Sequence, residues 1–220
     1  MNPFKVIQDF EAALCEYTGA PYCVTTTSCT MALLLATAYW VGRARFSERT
    51  HNVERKLLVE IPKRTYVGVP MSIIHAGGWP TFRDLNWRGG YQMLPMPVWD
   101  SARWFTEGLF HRYIFPGQEP QPGTMICVSF HWNKTLGIQQ GGAILHDDPE
   151  ADAWLRRARF DGRKEGVPPS QDTFPILGWH AYMAPETAAA GLVRLANLPR
   201  NNPPLPGDDY PDLSALDIFK

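Results

Sequence analysis

Lys134 stands a few residues beyond an apolar run that ends at Ser129, and ahead of Gly141–Gly142, which opens a second apolar run. Strands on either side would hold that amine on rigid sheet. Its neighbours Trp132, Leu136 and Ile138 are large and apolar, so a partly dry setting is expected. Desolvation lowers a lysine's pKa and leaves a nucleophilic amine, of the kind that forms an imine with an aldehyde cofactor. On these residues alone a structural loop lysine is the default and a catalytic lysine the alternative.

Other groups fall at comparable places. Asp100 and Ser129 each close an apolar run, and Ser28, Cys29 and Thr30 follow another while opening a helix. In open α/β sheets, ligands bind at the carboxyl ends of the strands, so these three positions should converge on one edge. Taken singly, each has a plain structural explanation: Asp100 as a turn cap, Thr27 or Ser28 as a helix cap.

The elements that must position these groups are legible from periodicity. Residues 3–18 carry Phe4, Ile7, Phe10, Leu14 and Tyr17 at helical spacing, closed by Gly19. Further helices are expected over 31–41, 67–76, 148–160 with Pro149 in its first turn, and 185–198. Strands are expected over 22–26, 57–61, 79–84, 96–100, 125–129 and 142–146. This alternation predicts an α/β fold, a three-layer α/β/α sandwich around a mainly parallel sheet. Prolines cluster at 115–122, 168–175 and 199–211 and read as punctuation.

With 220 residues, 45% of them hydrophobic, the chain can bury one sizeable core. We expect one domain over 1–198 and a polar, proline-rich tail over 199–220. The formal net charge of −1 gives no bulk attraction for nucleic acid. The first residues lack a signal-peptide core and no apolar run reaches membrane-spanning length, which predicts a cytoplasmic protein. Cys15, Cys23, Cys29 and Cys127 show neither Cys-x-x-Cys spacing nor a histidine pattern. Reduced thiols and no metal centre are expected.

Several ordered segments resemble a known family. Thr27-Ser-Cys-Thr-Met-Ala-Leu, Thr65-Tyr-Val, Ala76-Gly-Gly-Trp-Pro-Thr-Phe-Arg-Asp84, Trp99-Asp-Ser-Ala, Ser129-Phe-His-x-x-Lys134 with its later Gly-Gly, and Tyr182-Met with Thr187-Ala-Ala-Ala-Gly-Leu occur in sequence. Together, from about Phe4 to Leu198, they resemble the large domain of the DegT/DnrJ/EryC1/StrS sugar aminotransferases, which use pyridoxal 5′-phosphate (PLP). The resemblance implies the aspartate aminotransferase-like fold, type I among PLP enzymes. It also implies that Lys134 carries the cofactor and moves the proton at the substrate's α carbon. Asp100 would pair with the pyridine nitrogen and Tyr66 would stack on the ring. The N–H groups of Cys29 and Thr30, with the Ser129 hydroxyl, would hold the phosphate. His180 occupies the position of a family asparagine supplied from the neighbouring subunit, which implies a homodimer with shared sites. His131 and Arg103 are expected to face the substrate.

The chain departs from that pattern in three places. A smaller C-terminal domain normally follows the large one, and residues 199–220 are too few and too polar to build it. Arg103 replaces a histidine or glutamine, and could clamp a substrate carboxylate or pair with a surface acid. Cys29 replaces a glycine, and would either crowd the phosphate or be tolerated at negative φ. The reaction implied is transfer of an amino group from glutamate or glutamine to a nucleotide-linked keto-sugar or similar acceptor. The alternatives are a PLP-dependent decarboxylase or lyase acting on an amino acid or an amino-acyl-modified nucleotide or DNA base, as in phage-type base hypermodification, and an inactive regulatory relative.

Overall fold

The computed structural model describes residues 4–47, 56–112, 121–206 and 209–220. Most of the proline loop at 115–122 lies outside them. The chain begins with helix α1 (Lys5–Thr18), which buries Ile7, Phe10 and Leu14 and ends at Gly19 with φ 78°. That left-handed turn, open to glycine at no steric cost, lets its N–H cap Cys15 O. Strand β1 (Tyr22–Thr26) and helix α2 (Cys29–Ser47) follow, then β2 (Leu58–Pro62), α3 (Gly68–His75) and β3 (Trp79–Arg83). Next come β4 (Tyr91–Gln92), β5 (Val98–Ser101), the single turn α4 (Leu109–Arg112), β6 (Met125–Ser129) and β7 (Gly142–His146). Helices α5 (Pro149–Ala158) and α6 (Pro185–Ala196) complete the body. Asp148 caps α5 by accepting from the N–H groups of Glu150 and Ala151, beside Pro149.

The strands run β1-β7-β6-β5-β4, with β2 and β3 as a parallel pair beside them. Reciprocal backbone bonds between Glu60 and Leu94, 2.8 and 3.1 Å long, join the two sets. The expected mainly parallel sheet is corrected here: in the larger set only β5 and β6 pair in parallel. The reason is local. No helix separates β6 from β7, so the chain turns straight back and β7 enters antiparallel between β6 and β1. Residues 91–100 form a second turn-back, the origin of β4, which periodicity alone does not reveal. Strands β1, β2, β5 and β6 nevertheless all point the same way.

Alternate residues on the central strands face opposite layers. Met125, Cys127 and Ile144 enter a core with α2, α3 and α5, while Ile126, Val128 and Leu145 enter one with α1 and α6. A fully buried β6, with no polar face, is what a two-sided sheet requires. Each leucine-sized side chain so buried stabilises the fold by roughly 1.5–3 kcal/mol. Described residues beyond 198 pack on this body: Leu213 is fully buried and Phe219 rests against Phe82, ring centroids 5.8 Å apart. Among the described residues no helix is long and apolar enough to cross a membrane, and no group of His, Cys, Asp and Glu is arranged to hold a metal ion.

Candidate functional site

The carboxyl ends of β1, β5 and β6 and the segment after β2 surround a cavity of about 530 Å³. Such a volume suits a small-molecule ligand, for which roughly 300–1,000 Å³ is usual. Cys29, Thr30, Tyr66, Asp100, Ser129, His131 and Lys134 all line it. Seven of the nine expected site residues therefore meet in one place.

Lys134 is held by the loop between β6 and β7. Phe130 N–H donates to Gly141 O, Ile138 N–H to Phe130 O, Trp132 N–H to Gln139 O and Lys134 N–H to His131 O. Leu136 and Ile138 are buried, while Trp132 is 69% exposed. Gly137 turns the loop at φ 59°, where an added Cβ would lie 3.1 Å from Trp132 O. His131 is exposed, with Nδ1 2.8 Å from Asn133 Oδ1.

Asp100 sits on β5, directly opposite Tyr91 in the β4–β5 register. Its Oδ1 accepts from Ala102 N–H at 2.9 Å and its Oδ2 from the Tyr91 phenol at 3.0 Å. The Tyr91 oxygen also lies 2.7 Å from Thr65 Oγ1. A phenol has one proton, so when Tyr91 donates to Asp100 the Thr65 hydroxyl must donate to Tyr91. Burial pushes the Asp100 carboxyl above the usual carboxylate range, against the pull of Ala102 N–H, Tyr91 and the positive charge of Lys134. Burial and then the Asp100 charge push the Tyr91 phenol well up, so it stays a donor.

The opening of α2 supplies a different chemistry. Ala32 N–H makes a helical bond to Ser28 O, and Ser28 Oγ accepts from Met31 N–H at 3.2 Å. The N–H groups of Cys29 and Thr30 precede the first helical bond and face an anion naturally. Cys29 is helical, is not among the residues with positive φ, and packs with core residues such as Val24 and Ala32. Burial and then the Asp100 charge hold its thiol well above the ordinary range. Gly142 explains how β7 passes so close: a Cβ there would lie 2.5 Å from Cys29 N.

Two expected residues lie elsewhere. Arg103 is buried, and its guanidinium donates to Pro206 O rather than lining the cavity. That placement puts it outside the cavity lining, where clamping a substrate carboxylate was one of its two expected roles. His180 is exposed outside the cavity of its own chain, Nδ1 2.8 Å from Asp161 Oδ2 and its ring against Tyr182. Tyr66 is 55% exposed at the cavity mouth, its ring accommodated by Gly68, where an added Cβ would lie 2.7 Å from it. Sequence reasoning missed Tyr91 and Tyr210, which also bear on the site. The glycines at 89–90 and the prolines at 95 and 97 are the turn signals that could have placed Tyr91 opposite Asp100.

The donor set fits PLP: a buried carboxylate for a cationic ring nitrogen, an amine for an aldehyde, and a helix start with hydroxyls for a phosphate. Several solved structures share this fold. Helicobacter pylori PseC, an aminotransferase involved in pseudoaminic acid biosynthesis, matches with a TM-score of 0.64 at 19% identity, over 88% of this chain and 58% of its own. CalS13, a sugar aminotransferase from Micromonospora echinospora, gives 0.65 at 15% identity, over 87% and 60%. ColD, a GDP-4-keto-6-deoxymannose-3-dehydratase, gives 0.63 at 15% identity, over 89% and 61%. This chain thus spans about three fifths of their lengths. No curated protein matches the sequence. The family model for DegT/DnrJ/EryC1/StrS aminotransferases matches residues 2–91 and 120–203. Asp100 and Arg103 fall between those segments, so the position of Asp100 rests on its strand pairings with β4 and β6. The matched segments cover well over half of the sequence, and the chain belongs to the DegT/DnrJ/EryC1/StrS aminotransferase family.

Proposed function

We propose that the protein binds PLP between Lys134 and Asp100 and moves an amino group from glutamate or glutamine to a nucleotide-linked keto-sugar or a similar acceptor. The observation that carries this reading is that a buried carboxylate and a half-buried amine line one cavity, with the Lys134 charge acting on the Asp100 carboxyl. A buried carboxylate is costly without a cationic partner. A protonated pyridine nitrogen would offset that cost, and the Ala102 and Tyr91 donors aim the carboxylate oxygens.

When bound, PLP supplies an electron sink for the bond broken at the substrate's α carbon. Lys134 would hold the cofactor through Nζ and, once released by the incoming amine, would move the proton at that α carbon. Asp100 would pair with the ring nitrogen. The N–H groups of Cys29 and Thr30 and the Ser129 hydroxyl would bind the phosphate, and Tyr66 would stack on the ring. His131, at the mouth, is placed to meet the acceptor. His180 would reach the phosphate of a second copy in a homodimer, which accounts for its position outside its own cavity.

Decarboxylation of an amino acid is less well supported, because Arg103 is engaged by the tail and not available in the cavity as a carboxylate clamp. A borohydride-treated mixture of protein and PLP decides the central point. Peptide mapping should find the reduced cofactor on Lys134, and glutamate should convert the visible band to the amine form. Lys134→Ala should lose the label while keeping its melting temperature. A label that persists in the variant overturns the assignment, and a band unchanged by both glutamate and glutamine overturns transamination.

A further inference from the structure

The cavity has a wall that comes from the far end of the sequence. Tyr210 is half-buried and lines it together with Asp100, Tyr66 and Lys134. Its ring lies nearly parallel to Trp87, at 15° with centroids 6.3 Å apart. Trp87 in turn meets the Tyr91 ring at 4.9 Å and 66°, and its indole N–H donates to Arg64 O at 2.9 Å. An aromatic row therefore runs from the phenol that supports Asp100 out to residue 210.

The backbone on each side of Tyr210 is pinned. Leu205 N–H donates to Arg103 O at 2.8 Å, and the Arg103 guanidinium donates to Pro206 O. Beyond it, Leu213 N–H donates to Lys63 O at 2.8 Å, and Asp212 lies 3.4 Å from Lys63 Nζ. With Leu213 fully buried, residues 209–213 pack on the molecule's body.

We infer that Tyr210 is a ligand-binding residue whose ring contacts the cofactor or substrate held between Lys134 and Asp100, and that Arg103 is the positioning residue that sets it there. The first half rests on the function proposed above. A pinned aromatic ring facing a cavity with a charge pair offers contact area at little entropic cost, since few torsions remain to be frozen. Phenylalanine keeps the ring that lines the cavity and is the conservative comparison.

Two measurements on the full chain test this. In the absence of PLP, reductive methylation with formaldehyde and cyanoborohydride reports how well Lys134 is shielded. Tyr210→Ala should raise the labelling rate of Lys134 about twofold or more, and Tyr210→Phe should not. In PLP titrations followed by absorbance, Tyr210→Ala should weaken affinity about two- to tenfold, the value of one aromatic contact, and Tyr210→Phe should match the unsubstituted protein. Arg103→Ala should reproduce both alanine effects with Tyr210 intact. Unchanged labelling in Tyr210→Ala overturns the wall, and raised labelling with unchanged affinity overturns the contact. If the unsubstituted protein binds no PLP, the proposed function fails, and the wall is judged by labelling alone.

Discussion

Tyr91 donates its phenol proton to Asp100 Oδ2 at 3.0 Å from the position directly opposite it in the β4–β5 pair. The register therefore places a buried donor on the one carboxylate that would face the cofactor nitrogen. Thr65, at the end of the turn after β2, completes the chain of hydroxyls behind it.

Removing that donor should raise the Asp100 carboxyl further above the usual range, because burial would then meet less opposition. Hydrogen bonds to charged groups are worth about 1.5–3 kcal/mol. Tyr91→Phe should therefore weaken PLP about tenfold. The sign with pH follows: a carboxyl with a higher pKa becomes neutral at higher pH, so the acid-side loss of affinity moves upward. PLP titrations across pH check this, and an unshifted acid limb would show that Tyr91 does not support Asp100.

A second buried cluster fastens β1 to α1 and α5. Glu11 accepts from Thr25 N–H and Oγ1 at 2.9 and 2.8 Å, from Arg156 at 2.7 Å, and from the fully buried Arg159. Burial alone would raise its carboxyl, but Arg159 and Arg156 together outweigh burial and hold it below the ordinary value of 4.5. The unfolded chain then binds the extra proton, so stability is present above about pH 4.5 and is lost as pH falls through the lower folded value. Glu11→Gln should cost about 1.5–3 kcal/mol at neutral pH, because it removes the carboxylate bonded to both guanidinium groups while Glu165 and Asp152 still pair with them. Urea unfolding from pH 3 to 7 should show the acid slope flattened in the variant.

Gly142 is the point where β7 touches the start of α2. An added Cβ would meet Cys29 N at 2.5 Å and the Ser28 carbonyl carbon at 2.6 Å, both backbone atoms that cannot swing aside. Gly142→Ala should destabilise the protein by about 1–3 kcal/mol through overpacking. It should also weaken PLP, since the displaced N–H groups are those proposed for the phosphate. Thermal unfolding and PLP titration measure the two effects, and a variant with normal stability and affinity would sink this account of the junction.

Local pattern carried most of the element boundaries. Strands 125–129 and 142–146 were legible to the residue, because a buried strand between turn signals is bounded by its own side chains. Helix α2 was placed too short at 31–41, since a helix apolar on all sides gives no periodic stripe from which to read its ends. The pair Tyr91–Gln92 was invisible because two residues contain no period. The neighbours of Lys134 by themselves leave a structural loop lysine as the default, and Trp132, expected to dry the amine, is largely exposed.

The linear order of residues was enough to determine which side chains end strands and open helices, and hence that Lys134, Asp100, Ser129 and the start of α2 share an edge. Chain direction is a local property, and the carboxyl end of a strand is written beside it. Which partners those groups meet was decided only in three dimensions. The antiparallel entry of β7, the Tyr91 donor on Asp100, the withdrawal of Arg103 beneath Pro206 and the arrival of Tyr210 at the cavity all join residues far apart along the sheet or the chain. Such contacts depend on how layers pack, and no short window of sequence encodes that.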